Sequence, residues 1–362
     1  MSNAILTRAI DALASGTDLS EEETADVLAE IMHGEVSETQ IAGFLIALRT
    51  KGETVEEVTG LARTMRALAV RVPTTRGDLL DTAGTGGGRR TFNVSTTAAL
   101  IAAGADCAVA KHGNRSATSS SGSADLLEAL GARIDLDPTG VASCIDEAGF
   151  GFMFAPAHHQ ATRFVIPVRR ELAVRTIFNL LGPLTNPAGA RRQLIGVSDP
   201  RVLETIAGAL ARLGVDRALV VAAEDGLDEI SILAPTKVLE VNGEEITRYT
   251  LSPEEVGVQP SSAADFERDC AGGTPAENAA VTRAIMQGEA SIEGEASIAG
   301  GSASGDLAAI NAGAAIYTAG RADSIAAGVE AARAALADGS AARALERYVQ
   351  ASIRHAPARA IR

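Results

Sequence analysis

Through the first seventy or so residues, apolar positions recur at helical spacing only, as in 41–50 and 58–68. Ser20 with Glu23, Ser37 with Gln40 and Thr54 with Glu57 each read as a capping box, in which a hydroxyl and a longer polar side chain satisfy free amides reciprocally. Gly16, Gly34 and Gly52 fall where the preceding helices should stop. The pattern predicts a small all-helical domain over 1–72. From Leu79 the texture changes to short apolar runs between Ala-rich helical stretches, the pattern of a mainly parallel α/β sheet. Strands are expected at 79–82, 108–111, 151–154, 194–197, 218–222 and 238–241. The fold class is α/β: a small helical domain, and a large α/β domain over 73–167 and 191–362 with a mainly parallel central sheet.

Two segments break this alternation. Residues 168–179 begin Arg/Glu-rich and lead into the turn sequence Gly182-Pro183-Leu184-Thr185-Asn186-Pro187, so 168–190 reads as a return to the helical domain. A short duplication of GEASI starts at Gly288 and Gly294 and reads as a polar loop between helices.

Residues 84–90, 111–123, 155–159 and 224–229 are polar or glycine-rich and each follows an expected strand. Ligands of open α/β sheets bind outside the carboxyl ends of the strands, so the four loops point to one cleft. The run Gly84-Thr85-Gly86-Gly87-Gly88 offers consecutive N–H groups as an anion nest; read alone, it is also an ordinary tight turn, with neither the dinucleotide nor the Walker pattern. Asn93, Ser95 and Thr96 open a helix through Ala103, either as caps or as the N-terminus that receives a phosphate, and the two readings are compatible. Lys111, His112 and Arg115 place three potential cations in five residues after a strand. Residues 116–123 add hydroxyls leading into a helix over 125–130, a second N-terminus for the same cleft.

Asp228 and Glu229 are either a solvated turn or, beside a pyrophosphate, a pair that would hold Mg²⁺. His158 and His159 lack further zinc ligands. Arg169, Arg170 and Arg175 are either helix-face cations paired with Glu171 or include one that recognises a carboxylate bidentately.

A net charge of -14 argues against a nucleic-acid partner and leaves room for a small anion in a local cationic pocket. Hydrophobic residues at 46% and charged residues at 22% of 362 suffice for one large and one smaller globular domain. Cys107, Cys144 and Cys270 show no CxxC spacing, so they read as small buried apolar residues. No apolar run reaches the roughly 18 residues of a membrane span, and no signal peptide opens the chain, so a soluble cytoplasmic protein is expected.

GTGG followed by TFNVST, then KHGNR, SGSADLLEALG, FAPAHH, VRREL, RTIFNLLGPLTNP and GLDEIS stand in the order and spacing of one family. Across nearly its whole length, including Pro275-Ala276-Glu277-Asn278-Ala279-Ala280 and a late helix around 311–320, the chain resembles the anthranilate phosphoribosyltransferases of tryptophan biosynthesis. The resemblance implies a fold like that of pyrimidine nucleoside phosphorylases, with the active site in the cleft between domains and a homodimer formed through the helical domain. It implies transfer of the phosphoribosyl group of phosphoribosyl pyrophosphate to the amine of anthranilate, with Mg²⁺ as cofactor. Phosphoribosyl pyrophosphate would be held by Gly84, Gly87, Gly88, Thr91, Asn93, Val94, Ser95 and Thr96 on the first loop. On the second loop it would be held by Lys111, His112, Gly113, Asn114, Arg115, Ser116, Ala117, Thr118, Ser119 and Ser123. Ser95, Asp228 and Glu229 match the metal positions. Asn114 and Arg169 match the anthranilate positions, together with Gly84, and His112, His159 and Pro183 would line the tunnel.

No nucleophile or general-base dyad is evident, and a neutral aromatic amine needs none to attack the ribose carbon. The chain departs from the family in the first loop. There Gly88-Arg89-Arg90 replaces a longer, acid-containing segment, so Arg89 or Arg90 is expected to pair with a phosphate directly. Ser120 stands where a Lys or Arg is common. A nucleoside phosphorylase on this fold is disfavoured by the pattern Asn114, His159 and Arg169. A non-catalytic nucleic-acid binder is disfavoured by the acidic balance and by the retained Asp228-Glu229 pair.

Overall fold

Four capped helices open the protein: α1 (Ala4–Ala14), α2 (Glu21–His33), α3 (Glu38–Lys51) and α4 (Val55–Ala67). The computed structural model describes residues 2–116, 120–288 and 302–357. Ser20 with Glu23 and Thr54 with Glu57 form full capping boxes. The expected box at Ser37 is only half made: the hydroxyl takes the Gln40 amide, while the Gln40 side chain is drawn to the backbone of Asn3 at the head of α1. Glu57 is fully buried and holds the α1–α2 connection through the Leu19 N–H at 3.0 Å, with Lys51 at 3.0 Å as its counter-charge.

Strands then alternate with helices. The sheet holds β1 (Leu79–Gly84), β2 (Ala108–Gly113), β3 (Phe150–Phe154), β4 (Arg192–Gly196), β5 (Arg217–Ala223), β6 (Thr236–Asn242) and β7 (Glu245–Leu251), in the order β3-β2-β1-β4-β5-β6-β7. The five strands from β3 to β5 run parallel, while β6 and β7 are antiparallel. β7 was not among the expected strands. It closes a hairpin on β6 in which Asn242 faces Glu245 and Gly243 takes a φ of +60°.

Between the strands lie α5 (Val94–Gly104), α6 (Ser123–Ala129), α7 (Pro138–Ala148), α8 (Ala155–His158), α9 (Ile166–Leu172), α10 (Phe178–Leu184) and α11 (Leu203–Arg212). After β7 come α12 (Ala263–Cys270), α13 (Pro275–Met286), α14 (Ala303–Thr318), α15 (Ile325–Ala337) and α16 (Ser340–His355). The expected polar loop over the GEASI duplication falls, after Gly288, largely outside the described residues. Helices α5 and α14 are apolar almost all round because each is covered on every side, α5 by the sheet, α14 and α16.

The returning segment is two helices and not one. Ala173 takes a left-handed φ of +51° after α9, and Pro183, expected in a turn, lies inside α10. Val165, Val168, Phe178, Leu181 and Leu184 share a buried cluster with Leu28, Phe44, Leu48 and Leu61 of the first four helices. Phe164 already lies against Gly34, ahead of the expected start at 168.

Candidate active site

The strand order fixes where the loops meet. β1 pairs with β2 on one side and β4 on the other, so the chain winds outward in opposite directions from this pair, and the reversal opens a crevice at the carboxyl ends of β1 and β4. Gly84 and Gly196 form the last register pair there, and the Thr85 N–H donates to the Gly196 carbonyl at 2.9 Å. A Cβ at Gly196 would stand 1.7 Å from the Asp228 carbonyl oxygen, and one at Gly88 2.3 Å from the Asp228 carboxylate. The missing side chains are what let the turn after β5 lie against the loop after β1.

That turn carries the acidic pair. Asp228 and Glu229 lie against the first loop and the start of α5: a Cβ at Gly84 would stand 3.3 Å from the Asp228 carboxylate, and the Gly86 and Ser95 N–H groups each favour the charged form of the acid they face. Each keeps an edge toward solvent, yet desolvation still raises both carboxyl groups: Asp228 lies above its ordinary value, and Glu229 is pushed up to about 8 with Asp228 as the second cause. Asn311 of α14 holds the turn from behind, accepting from the Ile230 N–H and donating to the Ile230 and Leu307 carbonyls, each at 2.9 Å. Its only trace in the sequence is one amide in an apolar helix.

Lys111 at the end of β2 is buried and turned inward. Its Nζ donates to the Thr82 carbonyl at 2.5 Å and reaches the hydroxyls of Thr82 at 3.1 Å and Ser95 at 3.4 Å. Burial lowers its pKa, against the pull of Asp81 and Glu229. Asp81 is pushed up to about 6 by burial, which outweighs Lys111 and the hydrogen bonds from Asn186 at 2.7 Å and the His112 N–H at 3.1 Å. The lysine's charge therefore supports the crevice floor through Thr82 and Ser95.

At the start of α5, Asn93 occupies the cap position without capping through its side chain. Thr96 next to Ser95 keeps a buried hydroxyl with no hydrogen-bond partner among the described residues. Val94 is buried, and Thr91 bridges to Ala271. On the second loop, Gly113 ends β2, the Asn114 carbonyl accepts from the Ser123 hydroxyl at 3.2 Å, and the Asn114 side chain accepts from the Arg115 N–H at 2.7 Å. Ala117, Thr118 and Ser119 lie outside the described residues. Arg115 is turned aside, paired with Asp125 at 2.7 Å and Glu128 at 2.5 Å over the ring of Phe154. The second helix N-terminus is answered internally: Asp125 takes the N–H groups of Gly122 and Ser116.

His112 and His159 come together at the end of α10, the helix that carries Pro183. The rings of His112 and His159 are 5.0 Å apart, His112 Nδ1 is 3.1 Å from the Gly182 carbonyl, and His159 Nε2 is 3.1 Å from that of Thr185. Burial pushes His112 down to about 3 and His159 to about 4, so both rings are neutral, and His112 Nε2 is buried without a partner among the described residues. Arg169 on α9 is half-buried over Phe178 at 5.5 Å, has no ion pair among the described residues, and is lowered by desolvation. Arg170 is likewise without an ion pair among the described residues, and Glu171 takes none of the three arginines.

Two arginines stand where the sequence did not put them. Arg175 donates to the Gly86 carbonyl at 2.6 Å and to that of Thr85 at 3.2 Å. It passes so close to Gly87 that a Cβ there would lie 1.9 Å from its Nη1. Arg89, one of the two arginines expected to offer a phosphate a partner, pairs with Glu267, lies 3.9 Å from Asp225 and stacks 4.5 Å over Phe266.

No cluster of three or more His, Cys, Asp or Glu able to hold a metal exists among the described residues. Two raised carboxyl groups beside a serine hydroxyl do fit a hard divalent cation that takes its remaining ligands from substrate oxygens and water.

Helical bundle, parallel sheet and crevice define a two-domain glycosyl transferase: the family's α/β domain matches residues 76–342 and its helical bundle domain residues 7–69. A curated anthranilate phosphoribosyltransferase of Rubrobacter xylanophilus is 49% identical over 97% of this chain and 98% of its own. The solved enzyme of that name from Thermus thermophilus is 46% identical, with a TM-score of 0.86 over 95% of this chain and 99% of its own. That of Saccharomyces cerevisiae, solved in complex with PRPP and Mg, is 26% identical with a TM-score of 0.85, covering 98% and 99%. The chain belongs to the anthranilate phosphoribosyltransferase family.

Proposed function

We infer that the protein transfers the 5-phosphoribosyl group of phosphoribosyl pyrophosphate to the amine of anthranilate, releasing pyrophosphate. The observation that carries the reading is the packing of the Asp228-Glu229 turn against Gly84, Gly88 and Gly196 at the β1/β4 crevice, with Lys111 reaching Thr82 and Ser95 beneath. Asp228, Glu229 and the Ser95 hydroxyl would hold Mg²⁺, which when bound supplies positive charge to the leaving pyrophosphate. The glycine loop 84–88 and the Thr96 hydroxyl, without a partner among the described residues, suit the phosphate oxygens. Arg169, which pairs with no carboxylate among the described residues, suits that of anthranilate, and Asn114 accepts from the amine. The neutral His112 and His159 beside Pro183 form a tunnel wall without charge for the aromatic ring. The amine attacks the ribose carbon directly, so this chain contributes position and electrostatics.

The same reading includes a homodimer through the bundle, supported by the resemblance and by Ile46 exposed on α3. It places 1–72 and 168–190 in one domain and the enzyme in the cytoplasm. No helix among the described residues is long and apolar enough to cross a membrane. Purified protein incubated with Mg²⁺, phosphoribosyl pyrophosphate and anthranilate should extinguish anthranilate fluorescence; unchanged fluorescence would reject the assignment.

A further inference from the structure

Two buried polar residues of helix α13, one turn apart, meet the first turn of α5. The Asn278 Nδ2 donates to the Asn93 Oδ1 at 2.8 Å, and the Thr282 hydroxyl lies 3.0 Å from that of Thr97. Asn278 is 2% exposed, and its Oδ1 accepts from the Gly273 N–H at 2.8 Å. A backbone N–H can only donate, so the atom facing Gly273 must be the oxygen, and the NH₂ group must face Asn93. The atom of Asn93 that receives it must in turn be oxygen. Its own NH₂ group is thereby aimed at the Ser121 carbonyl, to which it donates at 3.0 Å, while the Ser121 hydroxyl donates back to Asn93 Oδ1 at 3.0 Å.

One backbone amide at Gly273 thus orients two side-chain amides in series and joins the loop after β1 to the loop after β2. The segment before α13 also braces the first loop directly, since the Phe92 N–H donates to the Cys270 carbonyl at 3.0 Å. We propose that Asn278 is a positioning residue for phosphoribosyl pyrophosphate, holding the Asn93 amide in the one orientation that ties both phosphate loops together. The proposal rests on the transferase reading above and assigns Asn278 no contact with substrate.

The test is Asn278→Asp. This variant keeps the volume and the acceptor for Gly273, but offers Asn93 an oxygen in place of a donor. Asn93 must then turn its amide over, which sets its oxygen against the Ser121 carbonyl. The KM for phosphoribosyl pyrophosphate should rise about tenfold, the size expected when a buried acceptor loses its donor, while the KM for anthranilate at saturating phosphoribosyl pyrophosphate stays within about twofold. Thr282→Val, on the same helix face, should leave both constants unchanged. Asn278→Ala, which removes the donor without adding a charge, should give the same split and covers a poor yield of the first variant. An unshifted phosphoribosyl pyrophosphate KM in either Asn278 variant, a parallel change in both constants, or the same shift in Thr282→Val would overturn the proposal. If the unaltered protein does not consume anthranilate, the transferase reading fails first; an active protein with unshifted variants refutes the Asn278 role alone.

Discussion

Arg175 Nη1 donates to the Gly86 carbonyl at 2.6 Å, which fastens the α9–α10 connection to the glycine loop after β1. Arg49 of α3 donates to the Arg175 carbonyl at 2.8 Å, so the chain of contacts runs from the helical bundle to the pyrophosphate side of the crevice. Arg175→Ala should raise the KM for phosphoribosyl pyrophosphate by about five- to tenfold, as expected for losing charge-assisted bonds to two carbonyls. Because the residue is exposed, the melting temperature should barely move. Initial rates with each substrate varied in turn decide it; an unaltered constant would make the contact incidental.

Asp228→Ala combined with Glu229→Ala should lower Mg²⁺-dependent turnover on the order of 100-fold or more, the scale seen when preorganised charge is removed from a reacting group. The readout is rate against Mg²⁺ concentration. Near-normal activity would remove both residues from the metal assignment.

Arg169→Ala should raise the anthranilate KM about tenfold or more and leave that for phosphoribosyl pyrophosphate much less affected, because the guanidinium lies on α9, apart from the glycine loop. Arg169→Lys should not restore it, since a point charge lacks the two-pronged donor geometry. An unchanged anthranilate constant would sink the assignment.

His112 and His159 are held at about 3 and about 4, below the roughly 6.5 of an unfolded histidine. Between those values the unfolded chain binds more protons, so the stability these two rings confer is present above about pH 6.5 and is lost as pH falls through that window. The unaltered protein should lose melting temperature between about pH 7.5 and about pH 5. His112→Asn with His159→Asn should lose less over the same interval, even if it starts lower. Equal losses would contradict the sign.

Arg89→Ala should leave the KM for phosphoribosyl pyrophosphate within about twofold and lower the melting temperature by a few degrees, because its cation is spent on Glu267, Asp225 and the ring of Phe266. A large rise in that constant would show that Arg89 leaves these partners for a phosphate.

The elements that could be read from local pattern are those whose cause is local. The boxes at Ser20 and Thr54 formed because each satisfies its own helix end, whereas that at Ser37 was half lost to Asn3, 37 residues away from Gln40. Buried parallel strands stood out as apolar runs. β7 did not, because its residues are mostly exposed and only its pairing with β6 makes it a strand, although Asn242-Gly243 marked the turn. In the crevice, glycines and paired acids announced themselves by type. Arg175 and Asn278 could not, since each acts on residues 89 and 185 positions away. Arg115 and Arg89 show the same limit: a cation's type is visible in a sequence, but its pairing with Asp125 and Glu128, or with Glu267, is not.

The backbone crosses between bundle and sheet three times, after α4, after β3 and before β4. The first four helices are therefore not an excisable module. Deleting them would uncover Val168, Phe178 and Leu181 on the side where they pack against the first four helices, an apolar face of the kind that drives aggregation. Any gene fusion or truncation that respects this enzyme's architecture has to keep the amino-terminal bundle and the middle of the chain together.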